Sequence, residues 1–460
     1  MKTIVDPDRA LTEGLARIRT EFQVPADFPP AVIAAASAAM QRVPSEHVDR
    51  TAIHFVTLDP GPSVDLDQAF AIEKAGSDIL LHYAIADVAW FVEDGGALDT
   101  EAWKRGETIY LPDGKASLYP PILSEGAASL LPNVGRPAII FSVRVASDGI
   151  ARLEGVERAV IRSAAKLAYE TVQPDDLPAD FAELARRIQS AELERGAARV
   201  DPPEQEVAEG DDGRLRLAFR PRLVSEAQNS ALSLATNLAV AVALHEHHTG
   251  LFRVMAGPNS AAIDRLRCTA AVFGLNWPAD MPLETFSRTL RPNDPTNAAF
   301  MLAIRRAGTG ATYVPYRDGE TPWHAAVAAT YAHATAPLRR LADRYVIRAA
   351  LSVMLGQPVE EQVSAAFQKL PAVMARADAR AGQIERAVVD LAETVLLLHR
   401  QGETFAAVVT DTDDRGSRIQ LRDVPLVARI IDTGLRPGTS LNVQLTGVDT
   451  AHRLLRFAPA

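Results

Sequence analysis

Residues 53–73 read IHFVTLDPGPSVDLDQAFAIE. Two apolar runs rich in β-branched and aromatic residues, IHFVTL and AFAIEK, flank a Pro/Gly turn, which predicts two core strands joined by a loop. Asp59 closes the first run. Asp65 and Asp67 lie two positions apart, so in extended backbone their carboxylates share a face. Beside the third aspartate stands Gln68, an amide where a fourth carboxylate would complete the group. Carboxylates gathered at a strand end repel one another and raise at least one pKa unless a cation neutralises them. Mg²⁺ or Mn²⁺ suits such a group, being oxygen-seeking and content with few protein ligands plus water and phosphate oxygens. The spacing and the missing closing glutamate exclude an EF-hand. A solvated acidic turn is the alternative reading of these residues alone.

Further strand-like segments follow in DILLHYAIADVAWFV and PAIIFSVRV, separated by the Pro/Gly-punctuated stretch 105–137, which reads as a long ordered loop. The acidic tract PPEQEVAEGDDGR (202–214) reads as a solvated loop. Beyond it the pattern is helical over 225–246, 261–273, 295–307, 324–332, 337–353 and 376–400. Five short strand candidates separated by tight turns fill the last 60 or so residues and fit a small OB-type barrel. Before residue 48, ALTEGLARIRTEF and FPPAVIAAASAAM predict two helices, a helix-turn-helix-like region or a helical cap. The fold class is therefore α+β, with a mixed or antiparallel sheet and a helical block. The division is 1–48 helical, 49–400 a large mixed domain and 401–460 barrel.

The chain has 460 residues, 47% apolar and 23% charged, and a net charge of -10. That balance argues against a protein that coats nucleic acid unselectively, yet it leaves room for a narrow basic channel. The single cysteine, Cys268, excludes an intrachain disulfide and a cysteine-cluster zinc site; its helical, apolar flanks predict a buried thiol. The first residues carry no apolar leader core, and no apolar run approaches about 18 residues. A cytoplasmic protein without membrane contact is expected.

A second group lies far along the chain in YAHATAPLRRLADRY (331–345). Pro337 suits a first helical turn, Arg339 and Arg340 follow, and Asp343 lies within pairing distance of either. Guanidinium forks at a helix N-terminus hold phosphate, although a solvated helix face carries the same residues. Metal-binding carboxylates and phosphate-binding arginines are complementary halves of a phosphodiester-cleaving site.

Taken with these two groups, TAIHFVTLDPGPSVDLDQAF, LHYAIADVAWFV, LDTEAWKRGETIYLPD and LYPPILSEGAASLLP make the chain resemble the catalytic RNB domain of the ribonuclease II family over roughly residues 50–395. The C-terminal barrel is similar to the family's S1 domain. The family's cold-shock pair does not fit residues 1–48, and the plan is similar to the short Deinococcus-type bacterial form. The resemblance implies processive 3′-to-5′ hydrolysis of single-stranded RNA with a free 3′ end to nucleoside 5′-monophosphates, with Mg²⁺, Mn²⁺ being a possible substitute, and by a monomer.

The family's four acidic positions fall on Asp59, Asp65, Asp67 and Gln68 as metal ligands, with Asp67 and Asp65 also catalytic. Its TSPIRRY element, here TAPLRRL, places Arg339 on the scissile phosphate and Arg340 as a supporting contact. Two tyrosines near the terminal nucleotides fall on Tyr110 and Tyr169. Read from the residues alone, either tyrosine is as well explained by packing, and so are Trp90, Phe91 and Trp103. Met255 occupies the place of a family histidine in LFRVMAGP, which leaves Arg253 without a clear part. The alternative function is a catalytically weakened RNA-binding protein of the same fold. A DNA-binding regulator lacks the basic recognition helix it needs.

Overall fold

The computed structural model describes residues 2–3, 9–197, 204–209, 215–220 and 222–460, apart from positions 293, 309, 423, 425 and 433. Its centre is a six-stranded sheet made of β1 (Val48–Asp49), β2 (Phe55–Asp59), β3 (Gln68–Ala75), β4 (Asp78–Ala86), β5 (Gly135–Val145) and β6 (Ala151–Ala168), in the order β1-β6-β2-β3-β4-β5. β6 is 18 residues long and pairs antiparallel with β5 along its first part, then parallel with β2 along its last. Its two pairings close five of the strands into a ring. A register shift at Ser142/Val143 marks a bulge opposite Gly155 and Leu153, the device by which a long strand turns such a corner. β2 is buried until Asp59, so the apolar run drives the strand into the core and delivers a carboxylate at its end.

Helices cover the sheet. They are α1 (Ala10–Glu21), α2 (Pro30–Ala39), α3 (Ala97–Arg105), α4 (Phe181–Glu194), α5 (Val224–Glu246), α6 (Ser260–Val272), α7 (Pro295–Ala307), α8 (Leu341–Met354) and α9 (Glu361–Leu396). α5 alone among the described residues is long and apolar enough to cross a membrane, and 67% of its most apolar window is buried inside the protein. Its hydrophobicity is that of a core helix, since Leu232, Ala235, Val240 and Leu244 all join the central cluster. The two N-terminal helices bury different faces on different neighbours. Leu11, Leu15 and Ile18 of α1 meet Ile384, Val388 and Leu391 of α9, whereas Val32 and Ala36 of α2 belong to the central core. They do not pack as a two-helix unit. The strands Thr404–Asp413, Gly416–Leu421, Val427–Ile430, Ser440–Asp449 and Leu454–Pro459 make a five-stranded antiparallel sheet with its own core, whose edge strands approach each other.

Several expectations change. The alanine-rich stretch 324–332 is not a helix; Trp323–His324 pairs with Ala329–Thr330 around a turn that puts Ala328 at φ 48°. Pairing partners outside the stretch, such as Met255 against His324, override its helix propensity. The helix expected from 337 starts at Leu341, after a turn that carries both arginines, and the one expected from 376 starts at Glu361 and runs through Pro371. Glu204–Glu209, within the acidic tract, is a strand paired with Leu215–Arg220; the rest of that tract lies outside the described residues. Cys268 lies on the exposed side of α6 and is not buried.

Candidate active site

Asp67 sits in the extended segment before β3 and is almost wholly buried. Its Oδ1 accepts the Leu338 N–H at 2.7 Å, and its Oδ2 faces the Arg339 Nε at 3.2 Å. One carboxylate therefore joins two segments 271 positions apart in the chain. Burial raises its pKa to about 7, with Arg339, the Leu338 N–H and Arg340 pulling the other way. Asp59, at the end of β2, is raised to about 6 by burial, opposed by Arg339 and reinforced by Asp65. Its carboxylate receives no hydrogen bond among the described residues.

Asp65 is already engaged. Lys115 Nζ lies 2.9 Å from its Oδ1, and the Tyr110 hydroxyl donates to its Oδ2 at 3.0 Å. Tyr110 and Lys115 face each other across the hairpin Ile109–Leu111/Gly114–Ala116, so the hairpin grips Asp65 from both sides. Lys115 also reaches Glu125 at 3.1 Å, and Arg19 of α1 holds Asp113 at the hairpin turn through two hydrogen bonds of 3.1 and 2.8 Å. Tyr110 is 55% exposed, so it is not a core plug; its ring is offered to solvent while its hydroxyl is tied down. Tyr169 follows β6, half-buried, with its N–H on the Asp59 carbonyl at 3.1 Å and its hydroxyl accepting from Asn229 at 2.8 Å. Burial and the nearby Asp59 raise its hydroxyl to about 12.

The arginine turn is built from below by Asp343. Its fully buried carboxylate accepts the N–H groups of Thr335 and Ala336 at 3.0 and 2.8 Å and a two-point fork from Arg340 at 2.9 and 2.7 Å. Burial opposes that charge, yet Arg340 and the N–H donors outweigh it and hold the carboxyl below its ordinary value. Arg340 is thereby turned inward, which corrects its expected place as a supporting phosphate contact; it positions the turn. Arg339 is 45% exposed at its side chain, and only its Nε is engaged among the described residues. That leaves its Nη pair for a ligand.

Gln68 is likewise corrected. Its amide donates to the Thr335 carbonyl at 2.7 Å and accepts from the Tyr83 hydroxyl, so it bridges β4 to the arginine turn and does not stand as a metal ligand. Gln68→Asp removes the donor to Thr335 and sets a carboxylate near a carbonyl oxygen. The cost is about 1–3 kcal/mol of stability. Chemical denaturation of both proteins in metal-free buffer checks this, and an unchanged midpoint would contradict it.

A divalent cation fits this arrangement only in part. Asp59 is an open, unpaired carboxylate, the signature of a group awaiting a cation. However, both oxygens of Asp65 and of Asp67 already have a protein partner, and no cluster of three or more acidic, histidine or cysteine ligands is present among the described residues. One cation shared with substrate phosphate oxygens suits the donor set; a preformed two-metal cage does not.

A pH dependence follows from the raised carboxyls. Between the unfolded value near 3.8 and the folded values of about 6 and 7, the native state binds more protons than the unfolded one. Stability without metal therefore falls as pH rises from 5 to 8. Thermal unfolding of the parent and of Asp67→Asn across that range measures it; the variant should lose less.

Lys115, Tyr83 and Asn229 escaped the sequence reading, whereas Asp343 was read there as a partner for either arginine. Only Asp343 carried a signal, its spacing from the arginines. Arg253 pairs with Asp378 at 2.8 Å and lies over the Tyr313 ring at 4.5 Å, which gives it a structural part. Trp103 donates to the Tyr345 hydroxyl at 2.8 Å, and Trp90 packs against the core, as packing predicts.

Comparison with known proteins matches the RNB domain model to residues 47–355 and the RNase II-type exonuclease C-terminal S1 domain model to residues 403–460. Ribonuclease R of Aquifex aeolicus is 26% identical over 470 residues, covering 95% of this chain and 64% of that protein. Exoribonuclease 2 of Salmonella newport is 28% identical over 410 residues, covering 84% and 62%. The chain thus spans just under two thirds of the length of these relatives. Among solved structures, Mycoplasma genitalium RNase R in complex with ribose methylated single-stranded RNA superimposes with a TM-score of 0.86 at 18% identity, covering 98% of this chain and 78% of that one.

Proposed function

The chain belongs to the ribonuclease II family, with an RNB domain followed by its C-terminal S1 domain, and from that premise we propose that it is a processive 3′-to-5′ exoribonuclease. Its substrate is single-stranded RNA with a free 3′ end, and its products are nucleoside 5′-monophosphates. The observation that carries this reading is the meeting of Asp67 with the Leu338–Arg339 turn beside Asp59 and Asp65. It brings acidic groups and an unspent guanidinium to one place.

A divalent cation, Mg²⁺ or Mn²⁺, held by Asp59 with Asp65 and Asp67 beside it, supplies Lewis acidity and an acidified water when bound. Arg339 stabilises charge that gathers on the phosphoryl oxygens, and Asp67 holds that guanidinium in line through its Nε. The exposed Tyr110 ring offers a terminal base a stacking face that every base can use, and Tyr169 lies beside Asp59, its N–H on the Asp59 carbonyl. RNA with secondary structure is included in the proposal, because a structurally similar protein, Mycoplasma genitalium RNase R, forms a complex with double-stranded RNA.

Incubation of uniformly labelled unstructured RNA with Mg²⁺ or Mn²⁺ tests the activity. Mononucleotides should accumulate while full-length RNA persists, and a chelator should stop the reaction. A hairpin with a short 3′ overhang tests the wider substrate range; complete arrest at the duplex edge would restrict the enzyme to single strands. A second reading, an RNA-binding protein without turnover, draws on the paired Asp65 and on Gln68. It predicts tight RNA binding with no mononucleotide release.

A further inference from the structure

Beside the segment that leads to the arginine turn, α3 and α9 frame a half-open pocket of about 220 Å³ lined by Lys104, Arg105, Val373, Arg376, Ala377 and Arg380. Four of the six lining side chains are cationic, in a chain whose net charge is -10. One carboxylate is paired among them: Glu101 meets Arg105 Nε at 2.9 Å and Lys104 Nζ at 3.5 Å. Arg105 is buried and engaged at all three nitrogens, its other two reaching the Ser117 and Asp27 carbonyls at 3.1 and 2.7 Å. It contributes field and not contact.

Arg376 and Arg380 stand one helical turn apart on α9 and share a face. Among the described residues Arg380 donates one side-chain hydrogen bond, to the Arg105 carbonyl at 3.1 Å, and Arg376 has no partner. Burial lowers the affinity of the Arg380 guanidinium for its proton, Arg105 adds to that, and Glu107 on the far side opposes it. Like charges assembled around one recess cost free energy that a bound anion relieves.

We propose that this cavity binds a phosphate group. Two guanidinium forks at i and i+4, with the mobile Lys104 ammonium opposite them, match the several oxygens of a tetrahedral anion. The volume suits a single phosphate and excludes a stack of bases. The wall is also tied to the catalytic side. Gly106, at φ 76°, is pressed so close to α9 that an added Cβ would lie 2.7 Å from Ala377 Cβ. The Gly106 carbonyl accepts from Leu341, and Thr108 donates to the Arg339 carbonyl, both at 3.0 Å. A phosphate seated here therefore braces the segment that leads from α3 to Tyr110 and holds the Arg339 turn. Its source is either free phosphate, inorganic or on a mononucleotide, or the backbone of RNA lying outside the catalytic channel.

The test titrates inorganic phosphate into the full chain by calorimetry at constant ionic strength. An Arg339→Gln background silences phosphate binding at the catalytic turn. Binding that persists in that background and weakens roughly tenfold or more on adding Arg376→Gln and Arg380→Gln identifies a free-phosphate site. Arg376→Gln alone alters an exposed side chain and keeps the test decisive should the double change impair folding; an Arg376→Lys/Arg380→Lys chain should retain binding. For RNA, affinity is measured against salt in metal-free buffer. A slope shallower by roughly 0.7 for each lost contact assigns the site to the RNA backbone. Unchanged phosphate binding together with an unchanged salt slope overturns the proposal.

Discussion

Asp67→Asn is expected to lower kcat on single-stranded RNA by on the order of 10³-fold while leaving RNA affinity nearly unchanged. The size follows from what the carboxylate does. Among the described residues its Oδ2 is the one group paired with the Arg339 guanidinium, and its charge is one of three beside the proposed cation. Losing it forfeits the orientation of the guanidinium as well as a negative charge. Asparagine keeps an oxygen for the Leu338 N–H, so the two segments stay joined. Because burial makes the ionised form costly, the variant should be at least as stable as the parent at pH 8. Single-turnover kinetics, RNA binding without metal and thermal unfolding separate these effects. Turnover equal to the parent's would remove Asp67 from the catalytic group.

Arg339→Gln should cost roughly 10²–10³-fold in kcat, the range for removing one preorganised donor from developing oxyanion charge. RNA affinity should fall less, since one phosphate contact among many is lost. A second consequence sets this variant apart from a merely damaged protein. Arg339 is the strongest influence opposing the burial-raised pKa of both Asp59 and Asp67. Without it both carboxyls rise further, so the acid limb of the pH–rate profile should move to higher pH. A parallel drop in rate at every pH would show that the arginine does not face these carboxylates in solution.

The aspartates were legible because a strand needs apolar residues until it leaves the core, and Asp59 is where that requirement ends. The arginines were legible as a pair, although their division of labour was not. Adjacent residues of one type give no sign that Arg340 folds inward onto Asp343 while Arg339 stays open. Gln68 was read as a metal ligand short of a charge, because its neighbours are aspartates. Its true partners, Tyr83 and the Thr335 carbonyl, lie on other elements, and no local pattern announces them. Lys115 is a similar case: a lysine beside a glycine in a turn looks solvated until the hairpin carries it to Asp65. Sheet closure was hidden for a related reason. β6 alternates charged and apolar residues over a length that no single partner strand explains, since it serves two.

The most direct test of the central claim follows the oxygen atoms. Unstructured RNA is digested in ¹⁸O-enriched water with Mg²⁺ or Mn²⁺, and the products are weighed by mass spectrometry. If water attacks phosphorus and the 3′ oxygen leaves, nucleoside 5′-monophosphates appear with ¹⁸O in the phosphate of those released from the 3′ end. Nucleoside diphosphates without label, or RNA that is bound and returned intact, would contradict the account.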